Sequence, residues 1–124
     1  MLSVNNKTKK KAPKGPFSDI AKHILGPDYD LSLVFIGSTL SRRLNRERRD
    51  KDHVANILSF PYSENEGEIF IDLGKTEKEA PKFGHSFNKH LIFLFIHGCL
   101  HLEGLDHGDK MESEEQRILK RFSK

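Results

Sequence analysis

The chain has 124 residues, the size of one ordinary domain, of which 35% are hydrophobic and 31% are charged. Its formal net charge of +3 excludes a heavily charged, histone-like protein but permits a polyanionic partner. The single cysteine, Cys99, excludes an internal disulfide and fits a reduced, cytoplasmic setting. The longest apolar run, residues 91–96, is far too short to span a bilayer, so we expect no membrane partner.

Residues 1–15 are predicted to form a disordered basic tail. Five lysines repel one another there, Pro13 and Gly15 disfavour regular structure, and the apolar segment of a secretory signal is missing. Such a tail can be a solvated segment or an arm that contacts RNA phosphates, and the sequence leaves both possibilities open. We expect residues 16–124 to form a single domain.

The next segments alternate between helix and strand patterns. Residues 17–25 have the apolar spacing of a short helix, and residues 31–36 form a compact apolar run that suits a buried strand. A second helix is predicted to begin near Ser38, with leucines on its inner face and arginines on its outer face.

The middle of the chain predicts two strands. Residues 56–60 read as a strand that stops at Pro61, and residues 68–73 alternate apolar and polar side chains as a half-buried strand does. A polar loop is predicted over residues 63–67 between them. Residues 74–84 are predicted to be a charged connection.

Two helices are predicted to end the chain. An apolar helix runs from about residue 86 to residue 102, and a short helix over residues 111–122 is acidic at its start and basic at its end, which suits the helix dipole. Together these elements predict an α+β fold in which helices pack on a small sheet.

Three histidines near the end of the apolar helix have the spacing of a metal site. His97 and His101 are four residues apart, so they lie on one helix face, one turn apart. Gly104 can end the helix and turn the chain back, which lets His107 supply a third ligand. Three neutral imidazoles leave one tetrahedral position for water, as in catalytic zinc sites. We expect one zinc ion per chain, while nickel or another divalent transition metal also accepts imidazole.

This spacing equals that of the metzincin motif H-E-x-x-H-x-x-G-x-x-H, but Gly98 occupies the place of the glutamate that acts as general base. A zincin-like metallopeptidase is therefore only a minor alternative. Asp106 is a candidate to orient a histidine ligand from behind, or else it caps a turn. Cys99 is expected in the core, and His90 is expected on the surface or lining a cleft.

The segment from His97 to His107 resembles the signature H-G-x-L-H-L-x-G-[YH]-D-H of the YbeY family of bacterial rRNA maturation factors, with Leu105 as a departure. Residues 44–61 resemble a second family motif, L-N-x-x-[FY]-R-x-x-D-x-P-T-[DN]-V-L-S-F-P. Here Val54 and Ala55 replace the Pro-Thr pair. The resemblance implies a small mixed sheet beside helices, with the metal in a cleft. It also implies a single-strand-specific, zinc-dependent endoribonuclease in small-subunit rRNA 3′ end processing and ribosome quality control.

The resemblance also assigns roles to single residues. Arg49 matches the motif arginine, which implies that it holds a phosphate in the cleft, so Arg49 and His97 are our candidate catalytic residues. Arg42, Arg46 and Arg48 are candidates for a basic rim that binds RNA. The implied partners are single-stranded RNA, small-subunit rRNA and the small ribosomal subunit, with no nucleotide cofactor.

Two questions stay open on the sequence alone. A non-catalytic ribosome-assembly factor that needs metal only for folding is the alternative function, because basic residues serve RNA binding in either case. No general base is evident, so the sequence does not choose between water and the ribose 2′-OH as the attacking group.

Overall fold

In the computed structural model, which describes residues 1–123, a four-stranded mixed sheet carries helices on both faces. The strands lie in the order β1-β2-β4-β3, with β1, β2 and β4 parallel and β3 antiparallel to β4. Their bounds are β1 (Leu2–Asn6), β2 (Asp30–Ile36), β3 (Ile57–Ser63) and β4 (Glu66–Asp72). The predicted α+β fold with a small mixed sheet is confirmed.

Five α-helices connect and cover these strands. They are α1 (Phe17–Leu25), α2 (Ser38–Arg49), α3 (Leu73–Glu79), α4 (Phe87–Glu103) and α5 (Asp109–Phe122), and a 3₁₀ turn over Ala80–Phe83 follows α3. The bounds predicted for α1 are confirmed, and those predicted for α4 and α5 differ by one or two residues at a few ends. Within the part of the chain described, no helix combines the length and apolar character that a bilayer span requires.

The two faces of the sheet bury different layers. The larger core lies between one face and the helices α1, α4 and α5, and its strand residues are Leu31, Leu33, Phe35, Ile69 and Ile71. Within it the rings of Phe17 and Phe95 pack edge to face, with centroids 5.1 Å apart. The smaller core packs α2 on the other face, and its members are Val34, Ile36, Leu44, Leu58 and Phe70. Helix α4 is apolar around most of its circumference because it is buried in the larger core.

The N-terminal residues differ from the predicted disordered tail. Leu2–Asn6 form β1, which pairs in parallel with β2, and the Lys7 N–H donates to the Phe35 carbonyl at 2.9 Å. The prediction over residues 1–15 is therefore wrong for Leu2–Asn6. Its physical reason is that the lysine-rich composition begins only at Lys7, after a segment with enough strand character to extend the sheet.

The predicted loop over residues 63–67 is also wrong in its bounds. Strand β3 continues past Pro61 to Ser63, with an irregular register there, and β4 already begins at Glu66. Because β3 is an edge strand, the missing N–H of Pro61 costs the sheet no hydrogen bond.

The charged connection predicted over residues 74–84 is instead α3 and the 3₁₀ turn. Asp72 caps α3, because its carboxylate accepts a hydrogen bond from the Lys75 N–H at 3.0 Å. The helix has only seven residues, of which Leu73 and Thr76 are buried, so its apolar periodicity is too short to stand out in the sequence.

Two buried polar side chains of α2 fix the segment that leads to β3. Ser41 donates to the Ala55 carbonyl at 2.6 Å and accepts from the Ala55 N–H at 3.0 Å. Asn45 donates to the His53 carbonyl at 2.9 Å. Both side chains are fully buried, and Asp50 (φ 54°) ends the helix so that the chain folds back along it. The segment is thereby held in place beside the site described below.

We expect Ser41→Ala to lower the free energy of unfolding by about 1–3 kcal/mol, because the half-buried N–H and C=O of Ala55 lose their partner. Chemical denaturation of the purified protein measures this difference. Thr39→Ala, an exposed position on the same helix, is the control and should change the free energy by less than about 0.5 kcal/mol. Equal stability of the two variants would contradict the anchoring role of Ser41.

Candidate metal centre

The three predicted ligands converge at the end of α4. His97 and His101 lie on the helix, and Gly104 (φ 111°) ends it in a left-handed conformation that returns the chain toward the helix. His107 follows in the connection to α5. The ring centroids are 4.6 Å apart for His97 and His101, 5.1 Å for His97 and His107, and 4.7 Å for His101 and His107.

The donor atoms fit a divalent transition metal. One nitrogen from each imidazole can be chosen so that all three lie within 4.8 Å of one another. The Nε2 atoms of His97 and His101 are 3.1 Å apart. Two nitrogens of a regular tetrahedral zinc site with bonds of about 2.0–2.1 Å are separated by about 3.3–3.4 Å, close to this distance. Three imidazoles suit zinc and equally admit nickel, copper or iron, so the donor set alone does not select the metal.

The surroundings of His101 favour its neutral form, which is the form that binds a metal ion. Burial lowers the pKa of His101, and the neighbouring His97 and His107 lower it further. A neutral imidazole presents the lone pair that a metal ion requires.

Glu115 of α5 contacts His97 through the ring nitrogen Nδ1. Its Oε2 lies 3.1 Å from His97 Nδ1, and the residue is only 5% exposed. This contact leaves Nε2 of His97 turned toward His101, whose Nε2 lies 3.1 Å away. Asp106, the predicted orienting residue, is exposed and makes no hydrogen bond to the triad among the residues described. Glu115 was missed, although it lies four residues after Met111 on the inner face of α5, where an acidic residue is unusual.

The triad borders an open cleft of about 660 Å³. The predicted catalytic residue Arg49 lines this cleft, is exposed, and forms no ion pair with any residue that the structure describes. Lys75 and Glu79 of α3 line it as well and were missed, because their segment was predicted to be an irregular connection. The Lys75 ammonium donates to the Val54 carbonyl at 2.9 Å and so ties α3 to the opposite wall.

The three predicted rim arginines lie on α2 outside this cleft. Arg42 and Arg46 are exposed and share the carboxylate of Asp52, at 3.0 Å and 3.8 Å. The hydrogen bond from Arg42 lowers the pKa of that carboxyl. The Arg48 guanidinium lies 4.8 Å from the centroid of the Phe60 ring, so it covers the outer sheet face.

Gly98 marks the closest approach of α4 to the sheet. A Cβ atom at this position would lie 2.8 Å from Ile57 Cδ1, 3.0 Å from Ile69 Cδ1 and 3.1 Å from Ser59 Oγ. A glutamate at the metzincin position would therefore bury its carboxylate between two isoleucines. The next residue, Cys99, is fully buried as predicted, and burial raises the pKa of its thiol.

His90 corrects another prediction. It is fully buried rather than on the surface or lining a cleft. Its ring packs among Phe83, Phe93 and His85, at centroid distances of 4.7, 5.7 and 5.3 Å. The 3₁₀ turn, which was not predicted, supplies Phe83 and so covers this part of α4.

A family model described as Endoribonuclease YbeY matches residues 3–123 of this chain. The chain belongs to the YbeY family. Relatives named Endoribonuclease YbeY include proteins from Paraburkholderia phymatum, 35% identical over 86% of this chain and 73% of the relative, and from Alkaliphilus metalliredigens, 31% identical over 84% and 74%. The relative from Agrobacterium fabrum is 42% identical over 73% of this chain but only 59% of its own length.

The solution structure of TM1509 from Thermotoga maritima has the same fold as this YbeY family chain. It aligns with a TM-score of 0.67 at 22% identity, over 97% of this chain and 87% of that protein. The mixed sheet with its covering helices is thus shared with a solved structure.

We expect Gly98→Glu to destabilise this YbeY family protein rather than to create a zincin-like base. Burial of an unpaired carboxylate against Ile57 and Ile69 should cost about 3 kcal/mol or more and lower the thermal midpoint by roughly 10 °C or more. Differential scanning calorimetry measures the midpoint. Gly98→Ala is the matched control and should shift it far less, because the ends of the two isoleucines can move aside. A Gly98→Glu protein as stable as the alanine variant would refute the close approach.

We expect Glu115→Gln to weaken metal retention by about 10–100-fold, because the carboxylate on His97 Nδ1 is lost. Competition with a chromogenic chelator measures the dissociation constant of the metal. Asp106→Asn is the comparison variant and should leave that constant near the wild-type value. If Asp106→Asn weakened metal binding more than Glu115→Gln did, Asp106 rather than Glu115 would be the orienting residue.

Proposed function

We propose that this protein is a cytoplasmic, single-strand-specific, zinc-dependent endoribonuclease that acts in small-subunit rRNA 3′ end processing and in ribosome quality control. The observation that carries the proposal is the position of Arg49, which lines the same cleft as His97, His101 and His107. A cleft with a guanidinium and three imidazoles suits a phosphodiester, which brings a negative charge to the reacting atom. A peptide bond brings none, and the position of the zincin base is occupied by Gly98.

The residues of the cleft can play different roles in the cleavage of a phosphodiester. Among residues 1–123, no carboxylate pairs with Arg49, so its N–H groups are available to hold the phosphate and to stabilise the charge that grows on it. His97 has a double role as metal ligand and catalytic residue, and Glu115 fixes its ring. A zinc ion held by the three histidines would supply Lewis acidity toward the phosphate.

Single-stranded RNA fits the recessed position of these groups. A flexible strand can bring one phosphate into a cleft, whereas the backbone of a duplex is held on a rigid cylinder. Arg42, Arg46 and Arg48 would then contact phosphates farther along the strand and orient small-subunit rRNA on the small ribosomal subunit.

The test compares wild type, Arg49→Ala and His101→Ala on a labelled single-stranded RNA, with metal content measured for each preparation. We expect wild type to carry about one zinc ion and to cleave the RNA, and a chelator to abolish cleavage. Arg49→Ala should keep its zinc but cleave about 10²–10³-fold more slowly, because a preorganised donor to the phosphate is lost. His101→Ala should lose both zinc and cleavage.

Arg117→Ala is the matched control for a contaminating nuclease and for loss of a surface charge. Arg117 is exposed on α5 and paired with Glu114, outside the cleft, so its replacement should leave the rate unchanged. If wild type holds zinc but cleaves no faster than Arg49→Ala, the protein is instead a metal-stabilised assembly factor that binds rRNA without cutting it. In that case removal of the metal should unfold the domain.

A further inference from the structure

Glu79 is the single carboxylate among the described residues that line the cleft. It is the last residue of α3, one turn after Lys75, and 22% of its side chain is exposed. The other groups of the cleft that can ionise are histidines, Lys75 and Arg49. A carboxylate at the edge of a cleft can accept a proton from a bound hydroxyl group.

One oxygen of Glu79 is held in place and the other is free. The Asn56 side-chain amide donates to Glu79 Oε1 at 3.0 Å, and His90 Nε2 lies 3.7 Å from the same oxygen. No described residue donates to Oε2. Asn56 itself stands next to the triad, because it lines a second recess together with His97 and His107.

The buried ring of His90 lies beside Glu79. His90 is fully buried, and its Nε2 atom has no hydrogen-bond partner, which is rare for a buried polar atom. Its Nδ1 atom lies 3.1 Å from His85 Nδ1. If His85 donates in this pair, His90 carries its proton on Nε2, the nitrogen that lies 3.7 Å from Glu79 Oε1. Burial lowers the pKa of both histidines, which keeps them neutral and preserves this arrangement.

The other carboxylates near the triad do not line the cleft that holds Arg49. Glu115 is 5% exposed and already contacts His97 from behind. Glu103 and Asp106 are exposed but do not line the cleft. Glu112 is also exposed and lines only the second recess, on the side of α5. The zincin position holds Gly98, so a proton acceptor must come from another element.

We propose that Glu79 is the general base of the cleavage reaction and that Asn56 is its positioning residue. The inference rests on the proposed nuclease function. Glu79 Oε2 takes the proton of the attacking hydroxyl, whether that of water or the ribose 2′-OH, as its oxygen bonds to phosphorus. The bond from phosphorus to the leaving ribose oxygen breaks, that oxygen takes a proton from solvent, and Glu79 returns its proton to solvent.

The test is Glu79→Gln, which preserves the size of the side chain and an oxygen that Asn56 can bond. We expect kcat on single-stranded RNA to fall about 10²–10⁴-fold, with KM within about threefold of wild type. Zinc content and thermal midpoint should not change. The affinity of Glu79→Gln for single-stranded DNA of the same sequence should equal or exceed that of wild type, because the variant has one negative charge fewer in the cleft. Glu79→Asp, which keeps a carboxylate, should be more active than Glu79→Gln.

Glu77→Gln is the matched control on the same helix. Glu77 is half exposed and pairs with Lys10 at 2.7 Å, away from the cleft, so kcat should stay at the wild-type value. A kcat of Glu79→Gln within about threefold of wild type overturns the inference. A fall in kcat that is accompanied by loss of zinc or by a lower thermal midpoint also overturns the inference, since Glu79 then has a structural role. A wild type that does not cleave contradicts the proposed function itself, whereas cleavage that is indifferent to Glu79 contradicts only this step.

Discussion

Helix α4 approaches the sheet so closely at Gly98 that the branched ends of Ile57 and Ile69 occupy the space of a side chain. The Ser59 hydroxyl also donates to the Gly98 carbonyl, at 3.4 Å. This contact fixes both the depth and the rotation of the helix. Successive residues point about 100° apart, so with Gly98 against the sheet, His97 and His101 share a flank that borders the cleft. The placement of His97 and His101 and the absence of a zincin base at position 98 therefore have one structural cause.

The walls of the cleft are tied to one another by hydrogen bonds from distant parts of the chain. Ser41 and Asn45 hold the segment after α2, and Lys75 binds that same segment from α3 through the Val54 carbonyl. Asn56 links the start of β3 to Glu79 at the end of α3. Because each bond joins different elements, the positions of Arg49 and the triad are set before a substrate arrives. Such preorganisation lowers the cost of ordering catalytic groups around a charged transition state.

The features that could be predicted from the sequence are those encoded by short-range spacing. The stripe of Phe17, Ile20 and Ile24 predicts α1, and the four-residue spacing of His97 and His101 predicts that they share a helix face. Arg49 was found through its motif, and its place in the cleft agrees with what that resemblance implies.

The features that were missed depend on contacts between distant segments. The pairing of Glu115 with His97 forms only when α5 packs on α4. In the sequence alone, a glutamate that becomes buried cannot be distinguished from the exposed charges of an amphipathic helix. Likewise, His90 is buried by a 3₁₀ turn whose residues carry no strong apolar pattern. Glu79 lies in a helix too short to show a period, so nothing local indicated which of its charges faces the cleft.

The two carboxylates near the metal centre differ in what they can reach, and this difference separates their roles. Glu115 is almost fully buried and has its Oε2 on the nitrogen of His97 that points away from the other histidines. Movement of a proton there would disturb a ligand rather than a substrate. Glu79 lines the cleft and is anchored through Oε1, while no described residue donates a hydrogen bond to its Oε2. Because their surroundings differ, Glu115 can orient a histidine while Glu79 exchanges protons, as the proposed reaction requires. Metal binding and proton transfer then depend on different carboxylates.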